Sequence, residues 1–238
     1  MRRWLQARLS RAGWSVHRWP SHRFDGMGDV LEMLRRQGYR PSTVVDIGAN
    51  VGQWTDLAAG LFHAAEHHLI EPQPALHATL ARFQPPRFHV HPVALTSAGV
   101  SEASMSGSGT GMHVVTAGSA PSTRVPASSL DALLADRLTQ EQRTLIKIDV
   151  ESHELTVLGG GTRVMAAAEV IISEYHYYDI EQTGTPVFRD LLDFMARHGY
   201  DLYDISAVHG RARDLRAQTG DAVFVRRDSP LTADTRWA

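Results

Sequence analysis

The chain has 238 residues, 43% of them hydrophobic and 21% charged, with a formal net charge of −2. These values fit a globular chain able to build one full core, and they supply no global field for a polyanionic partner. No cysteine is present, which excludes disulfides, thiolate metal centres and cysteine nucleophiles together.

The charge is unevenly spread. Residues 1–40 carry nine Arg against three acids, a balance of +6, and the remainder carries −8. The opening MRRWLQARLSRAGWSVHRWP has no continuous apolar core and no small-residue cleavage site, so it does not read as a signal peptide. As a helix it gathers Trp4, Leu5 and Leu9 on one side, with Arg3, Arg8 and Arg11 elsewhere. Such a helix suits two roles, a cap across the domain or a peripheral contact with an anionic membrane surface. No apolar run reaches the length of a membrane span, and the cytoplasm is the default expectation. The expected division is a basic helical extension over 1–40, an α/β domain over 41–228 and a flexible tail over 229–238.

From residue 43 strands and helices alternate. TVVDI (43–47) predicts a short buried strand, and 53–62 a helix. HHLIE (67–71) predicts the second strand and 74–83 the second helix. Residues 87–91 and 93–95 predict a third strand. Residues 96–129 are rich in Ser, Gly, Thr, Ala and Pro and read as a long, weakly structured loop. Strand 145–150, helix 154–168, strand 170–173, helix 187–198 and strands 200–205 and 222–225 follow. This order predicts a mostly parallel central sheet with helices on both faces.

The densest local signal is VVDIGANVGQWT (44–55). A buried strand ends in Asp46, a glycine-containing turn follows, and a helix begins near Gly52. In such sheets ligands bind beyond the carboxyl ends of the strands. Gly48 and Gly52 allow close approach of the backbone to a ligand. Glu71 ends the next strand, where an acid can hold ribose hydroxyls. A dinucleotide fingerprint would need G-x-G-x-x-G, but Asn50 stands at the middle glycine. Asp46 adds negative charge, which suits a cationic ligand better than a diphosphate.

These residues carry a family resemblance. VVDIGANVGQWT, LIEPQPALHATL, VHPVAL, VPASSLDALL and LIKIDVESHELTVLGGG, in this order, resemble the FkbM-type S-adenosylmethionine-dependent methyltransferases over about residues 41–206. The resemblance implies a Rossmann-like class I methyltransferase fold and S-adenosylmethionine as cofactor. It implies that Asp46, Gly48, Ala49, Asn50 and Gly52 hold the methionine end, that Glu71 takes the ribose, and that Val93 and Ala94 lie near adenine. It also implies O-methylation of a sugar, glycolipid or natural-product hydroxyl. The chain departs from the family's pattern at Ser152, where Gly is usual.

Lys147, in IKIDVESHEL, is the only lysine of the chain. A lysine in a buried strand needs a partner. Alternation puts Lys147, Asp149 and Glu151 on one face if the strand extends that far. The neighbouring strand ends at Glu174, with His176 beyond it. These five residues are the candidates for the catalytic end, with Asp149 or His176 as the base. Lys147 has two readings, as a buried ion-pair partner or as a group that orients carboxylates and steadies a developing alkoxide. Asp149, Glu174 and His176 could together hold Mg²⁺, a less favoured reading because nothing fixes a ligand set. The pairs His67/His68 and His89/His91 read as strand residues rather than a zinc site. Tyr175, Tyr177 and Tyr178 suit either acceptor stacking or packing. Rival readings are a non-catalytic cofactor-binding module and an NAD(P)-dependent oxidoreductase. No nucleic-acid partner is expected, because the −8 balance after residue 40 opposes phosphate backbones.

Overall fold

The computed structural model describes Leu9 and residues 23–107, 113–115, 123–139, 143–179 and 184–234. The basic opening segment therefore lies outside the described residues, Leu9 apart. Helix α1 (Arg23–Arg36) leads into β1 (Thr43–Ile47), α2 (Gln53–Leu61), β2 (Glu66–Ile70), α3 (Pro74–Leu80) and β3 (Phe88–His91). After an intervening small sheet come β8 (Thr144–Ile148), α5 (Glu154–Gly159), α6 (Thr162–Ala167), β9 (Ala168–His176), α7 (Phe188–Arg197), β10 (Tyr200–Gly210) and β11 (Ala217–Arg226).

The main sheet has seven strands in the order β10-β11-β9-β8-β1-β2-β3. β11 runs antiparallel to both of its neighbours, and the other pairings are parallel. The central strands are short and apolar because both faces are covered. Val44 and Leu145 pack with Met27, Leu31 and Trp54 on the α1/α2 face. Val45, Ile47, Ile146 and Ile148 pack with Leu130, Val157 and Leu191 on the opposite face. Each fully buried aliphatic side chain contributes roughly 1.5–3 kcal/mol. The strand order reverses between β1 and β8, and such a switch point opens a crevice at the carboxyl ends of those two strands.

Four expectations change. Residues 93–95 do not extend the third strand: β4 (Ala94–Leu95) belongs to a second sheet of four strands, β4-β7-β5-β6. The segment expected as a long loop supplies β5 (Glu102–Ser106), β6 (His113–Val115) and β7 (Thr123–Ser128), followed by α4 (Leu130–Leu134). Its small polar composition hides a period of two, in which Ala103 and Met105 are buried and their neighbours are not. The helix expected over 154–168 is two short helices, because Gly160 and Gly161 pack against Ser129 and Leu130 with no room for a Cβ. The segment expected as a tail is docked at its start. Ser229 is buried, and its Oγ donates to Glu169 Oε1 at 2.6 Å. Glu169 also takes both arms of Arg143.

The histidine pairs lie on β2 and β3, as strand residues. His68 Nδ1 lies 3.0 Å from His91 Nε2, and His67 stacks on Phe88. Burial holds His67 near 4 and His68 near 3, against an ordinary 6.5. The unfolded chain takes up these protons below about pH 6.5, and the fold withholds them until pH 3–4. Stability from both residues is therefore complete above pH 6.5 and lost as the pH falls, by about 2 kcal/mol for each at pH 5. We expect His67→Phe to narrow the difference in urea-unfolding free energy between pH 7.5 and pH 5 by about 2 kcal/mol.

Candidate functional site

A cavity of about 290 Å³ opens at the carboxyl ends of β1 and β8. Gly48, Ala49, Asn50, Glu71, Val93 and Ala94 line it, as do Lys147, Asp149 and Glu151. Asp46, Gly52, Glu174 and His176 are not among the residues that line it.

The turn after β1 is dictated by contact. Gly48 has φ 81°, and a Cβ there would stand 1.9 Å from the backbone oxygen of Asp149. Asn50 also lies in the left-handed region, at φ 50°, which asparagine tolerates. Its Oδ1 accepts the Val51 N–H at 2.8 Å. Glu71 crosses from β2 to hold the turn. Its Oε2 accepts the Asn50 N–H at 2.8 Å and its Oε1 accepts the Gln73 N–H at 2.9 Å. Each oxygen keeps a lone pair for a further donor. Burial pushes the Glu71 carboxyl upward, against those two N–H bonds.

Lys147 satisfies the ion-pair reading and lines the cavity as well. Its Nζ lies 2.8 Å from Asp149 Oδ2, and both side chains are largely buried. In register, Lys147 sits opposite Asp46 on β1. Asp46 is 1% exposed, and its Oδ2 accepts from Thr55 Oγ1 at 2.6 Å. Burial raises the Asp46 carboxyl, and Lys147 and Thr55 work against that rise. One cation thus serves two buried acids on the α1/α2 face of the sheet.

The extended backbone does not reach Glu151. β8 ends at Ile148, and Glu151 and Ser152 adopt φ 53° and 73°. Glu151 reaches the cavity wall through this turn rather than by strand alternation. Glu154 ties the turn down: its Oε1 accepts the N–H groups of Val150 and Ser152, each at 3.2 Å. Burial pushes the Glu154 carboxyl up to about 7. Ser152 Oγ lies 3.1 Å from His176 Nδ1. Burial lowers the His176 imidazole, while the charge of Asp149 pulls it upward.

Carboxylate oxygens of Asp149, Glu151 and Glu174 lie within 4.8 Å of one another, the only such grouping among the described residues. His176 is not in it, so the expected set of Asp149, Glu174 and His176 is replaced by three acids. His176 instead turns its Nδ1 to Ser152. Closeness of acids is common and does not by itself assign a cation.

The tyrosines divide. Tyr175 is buried, stacked on Phe188 with centroids 3.8 Å apart, and bonded to the Tyr177 hydroxyl at 3.1 Å. It is a packing residue. Tyr178 lies under Arg216 at 4.6 Å.

Several cavity residues were not foreseen. His153 lines the wall beside Glu151, and burial lowers its imidazole. Its place inside the Lys147–Glu154 motif was the available signal. Met105 and Val114 also line the cavity, from the small sheet. Nothing local in the sequence could bring them there.

Residues 46–202 match the model of the methyltransferase FkbM domain, and the chain belongs to that family. With the strand order above, its fold is a Rossmann-like class I methyltransferase fold. No curated protein matches the chain. Among solved structures, it is similar to precorrin-6y C5,15-methyltransferase from Geobacter metallireducens, at 11% identity and a TM-score of 0.45, over 84% of this chain and 87% of that one. It is similar also to 1,6-didemethyltoxoflavin-N1-methyltransferase of Burkholderia thailandensis, solved with 1,6-didemethyltoxoflavin and S-adenosylhomocysteine bound. There the identity is 10% and the TM-score 0.48, over 85% of this chain and 79% of that one.

Lys147→Met should lower the unfolding free energy by about 3–5 kcal/mol, because it leaves buried acids without their cation; chemical denaturation measures the loss. Gly48→Ala should be worse still, with little folded protein recovered, since the added Cβ meets backbone rather than a yielding side chain. Circular dichroism and size-exclusion chromatography would show it.

Proposed function

We propose that this FkbM-family chain transfers a methyl group from S-adenosylmethionine to a hydroxyl of a sugar, glycolipid or natural-product acceptor. The observation that carries the reading is the cavity at the switch point, lined both by the acids Glu71, Asp149 and Glu151 and by apolar residues such as Val93, Leu95 and Met105. The residues fit the cofactor. Asp46, Gly48, Ala49, Asn50 and Gly52 would hold its methionine end, and Glu71 its ribose hydroxyls. Val93 and Ala94, with Leu95, Met105 and Val114, would enclose its adenine. A sulfonium with an ammonium group favours such acids over a phosphate cradle. When bound, the cofactor supplies an electrophilic methyl group.

The chain's own residues do the rest. The acceptor hydroxyl would approach the end formed by Asp149, Glu151 and Glu174, where positioning supplies much of the rate. Asp149 is held as a carboxylate by Lys147 at 2.8 Å, which makes it a poor base and a good counter-ion. His176 is the better proton acceptor. Its burial keeps the ring neutral, and Asp149 steadies the imidazolium that forms.

Calorimetric titration of the purified chain with S-adenosylhomocysteine, beside NADH and with and without Mg²⁺, tests the reading. We expect micromolar binding of the homocysteine compound and none of NADH. Glu71→Ala should weaken binding at least tenfold, about 1.4 kcal/mol or more. Absence of S-adenosylhomocysteine binding under every condition would overturn the proposal.

A further inference from the structure

The turn that follows β8 is built against the preference of its residues. Glu151 and Ser152 both take positive φ, 53° and 73°. This is the region where a side chain clashes with its own backbone and glycine does not. A glycine at position 152 would relieve that strain. The side chain of Ser152 makes one polar contact with the neighbouring strand, 3.1 Å from Oγ to Nδ1 of His176. The backbone of the turn cannot drift away from that contact. The Ser152 N–H donates to Glu154 Oε1, the same oxygen that takes the Val150 N–H, each at 3.2 Å. On the other side of the turn, the Asp149 N–H donates to the Ile47 oxygen at 3.0 Å. His176 in turn is fixed at its backbone by pairing with Thr219 on β11. Two elements anchored independently therefore meet through one hydroxyl and one ring nitrogen.

We propose that Ser152 is a positioning residue for His176: its Oγ accepts the Nδ1–H and leaves Nε2 with a free lone pair. The assignment rests on His176 acting as the base in the methyl transfer described above. The hydrogen bond made by one ring nitrogen decides which tautomer the ring adopts. With Nδ1 donating to Ser152, only Nε2 can take a proton. As an acceptor lone pair forms the new O–CH₃ bond, the S–CH₃ bond pair stays with sulfur. The O–H bond pair returns to oxygen, and the proton passes to Nε2. Positive charge thus moves from sulfur to the imidazole, beside the Asp149 carboxylate, until solvent takes the proton. Without the hydroxyl the ring would turn or change tautomer, and Nε2 would carry its own hydrogen for part of the time.

The test is ¹⁵N NMR of the histidine-labelled full chain at pH 7.5, with the His176 signals assigned by His176→Asn. The wild-type ring should show a single Nδ1–H tautomer. Ser152→Ala removes the hydroxyl and keeps the strained backbone. Ser152→Gly removes both. Both variants should show a mixture in which the Nε2–H form appears, and only Ser152→Gly should melt above the wild type. An Nε2–H wild-type ring, or an unchanged tautomer in Ser152→Ala, would overturn the proposal. S-adenosylhomocysteine titrations on the same samples should agree within threefold. A wild-type chain that fails to bind it would sink the methyltransferase reading and the catalytic purpose given to Ser152, while the tautomer result still judges the contact itself.

Discussion

The arrangement depends on one close approach, that of the Asp149 backbone to Gly48. A Cβ at Gly48 would fall 1.9 Å from the Asp149 oxygen, so the ends of β1 and β8 meet with no side chain between them. That contact sets the spacing of the switch point. It brings the turn carrying Asn50 and the turn carrying Glu151 into one cavity wall. Glu71 and Glu154 then act as matched staples. Each is a buried carboxylate at the end of its own segment, and each accepts two backbone N–H groups from a turn that would otherwise have no regular partner. The two turns that wall the cavity are therefore built by the same device, applied twice.

The second constraint is electrostatic. Asp46, Asp149 and Glu174 lie at the ends of three adjacent strands, and the core beneath them is apolar on both faces. Uncompensated carboxylates there would be costly. A lysine is a compact charge on a flexible stem, and it reaches Asp149 directly while sitting in register with Asp46. Arginine, used for every other positive charge except histidine, is a wide planar fork that suits bidentate pairs such as Arg143–Glu169. The single Lys of the chain stands at this buried position instead. A buried ion pair of this kind adds little net stability over an apolar pair, so its retention points to the cavity it faces.

Much of the frame was legible beforehand. Short apolar runs bounded by glycine, alternating with longer amphipathic segments, gave β1, α2, β2, β8 and α7 to within two residues at each end, and the centre of β9. The motif around Gly48 marked the cavity, because few other patterns place a buried acid, two glycines and a helix start within seven residues. The misses share a cause. The small sheet mixes Ser, Thr and Ala with scattered Val, Met and charged residues, so its alternation carries little hydrophobic contrast. The turn at Glu151 and Ser152 left no local trace either, since neither residue prefers positive φ and the force that imposes it comes from Glu154 below and His176 across. Met105 and Val114 reach the cavity only because β5 and β6 fold over it.

By itself, then, the sequence determined the sheet, its parallel order and the residues at its carboxyl edge. Period and composition act locally, and both faces of the sheet had to be covered. Only the tertiary structure decided which acids share Lys147, that Glu151 arrives by a left-handed turn, and that Ser152 meets His176. Those are contacts between segments far apart in the chain. Their geometry is fixed by the packing of strand ends against one another, and no local pattern of residues contains it.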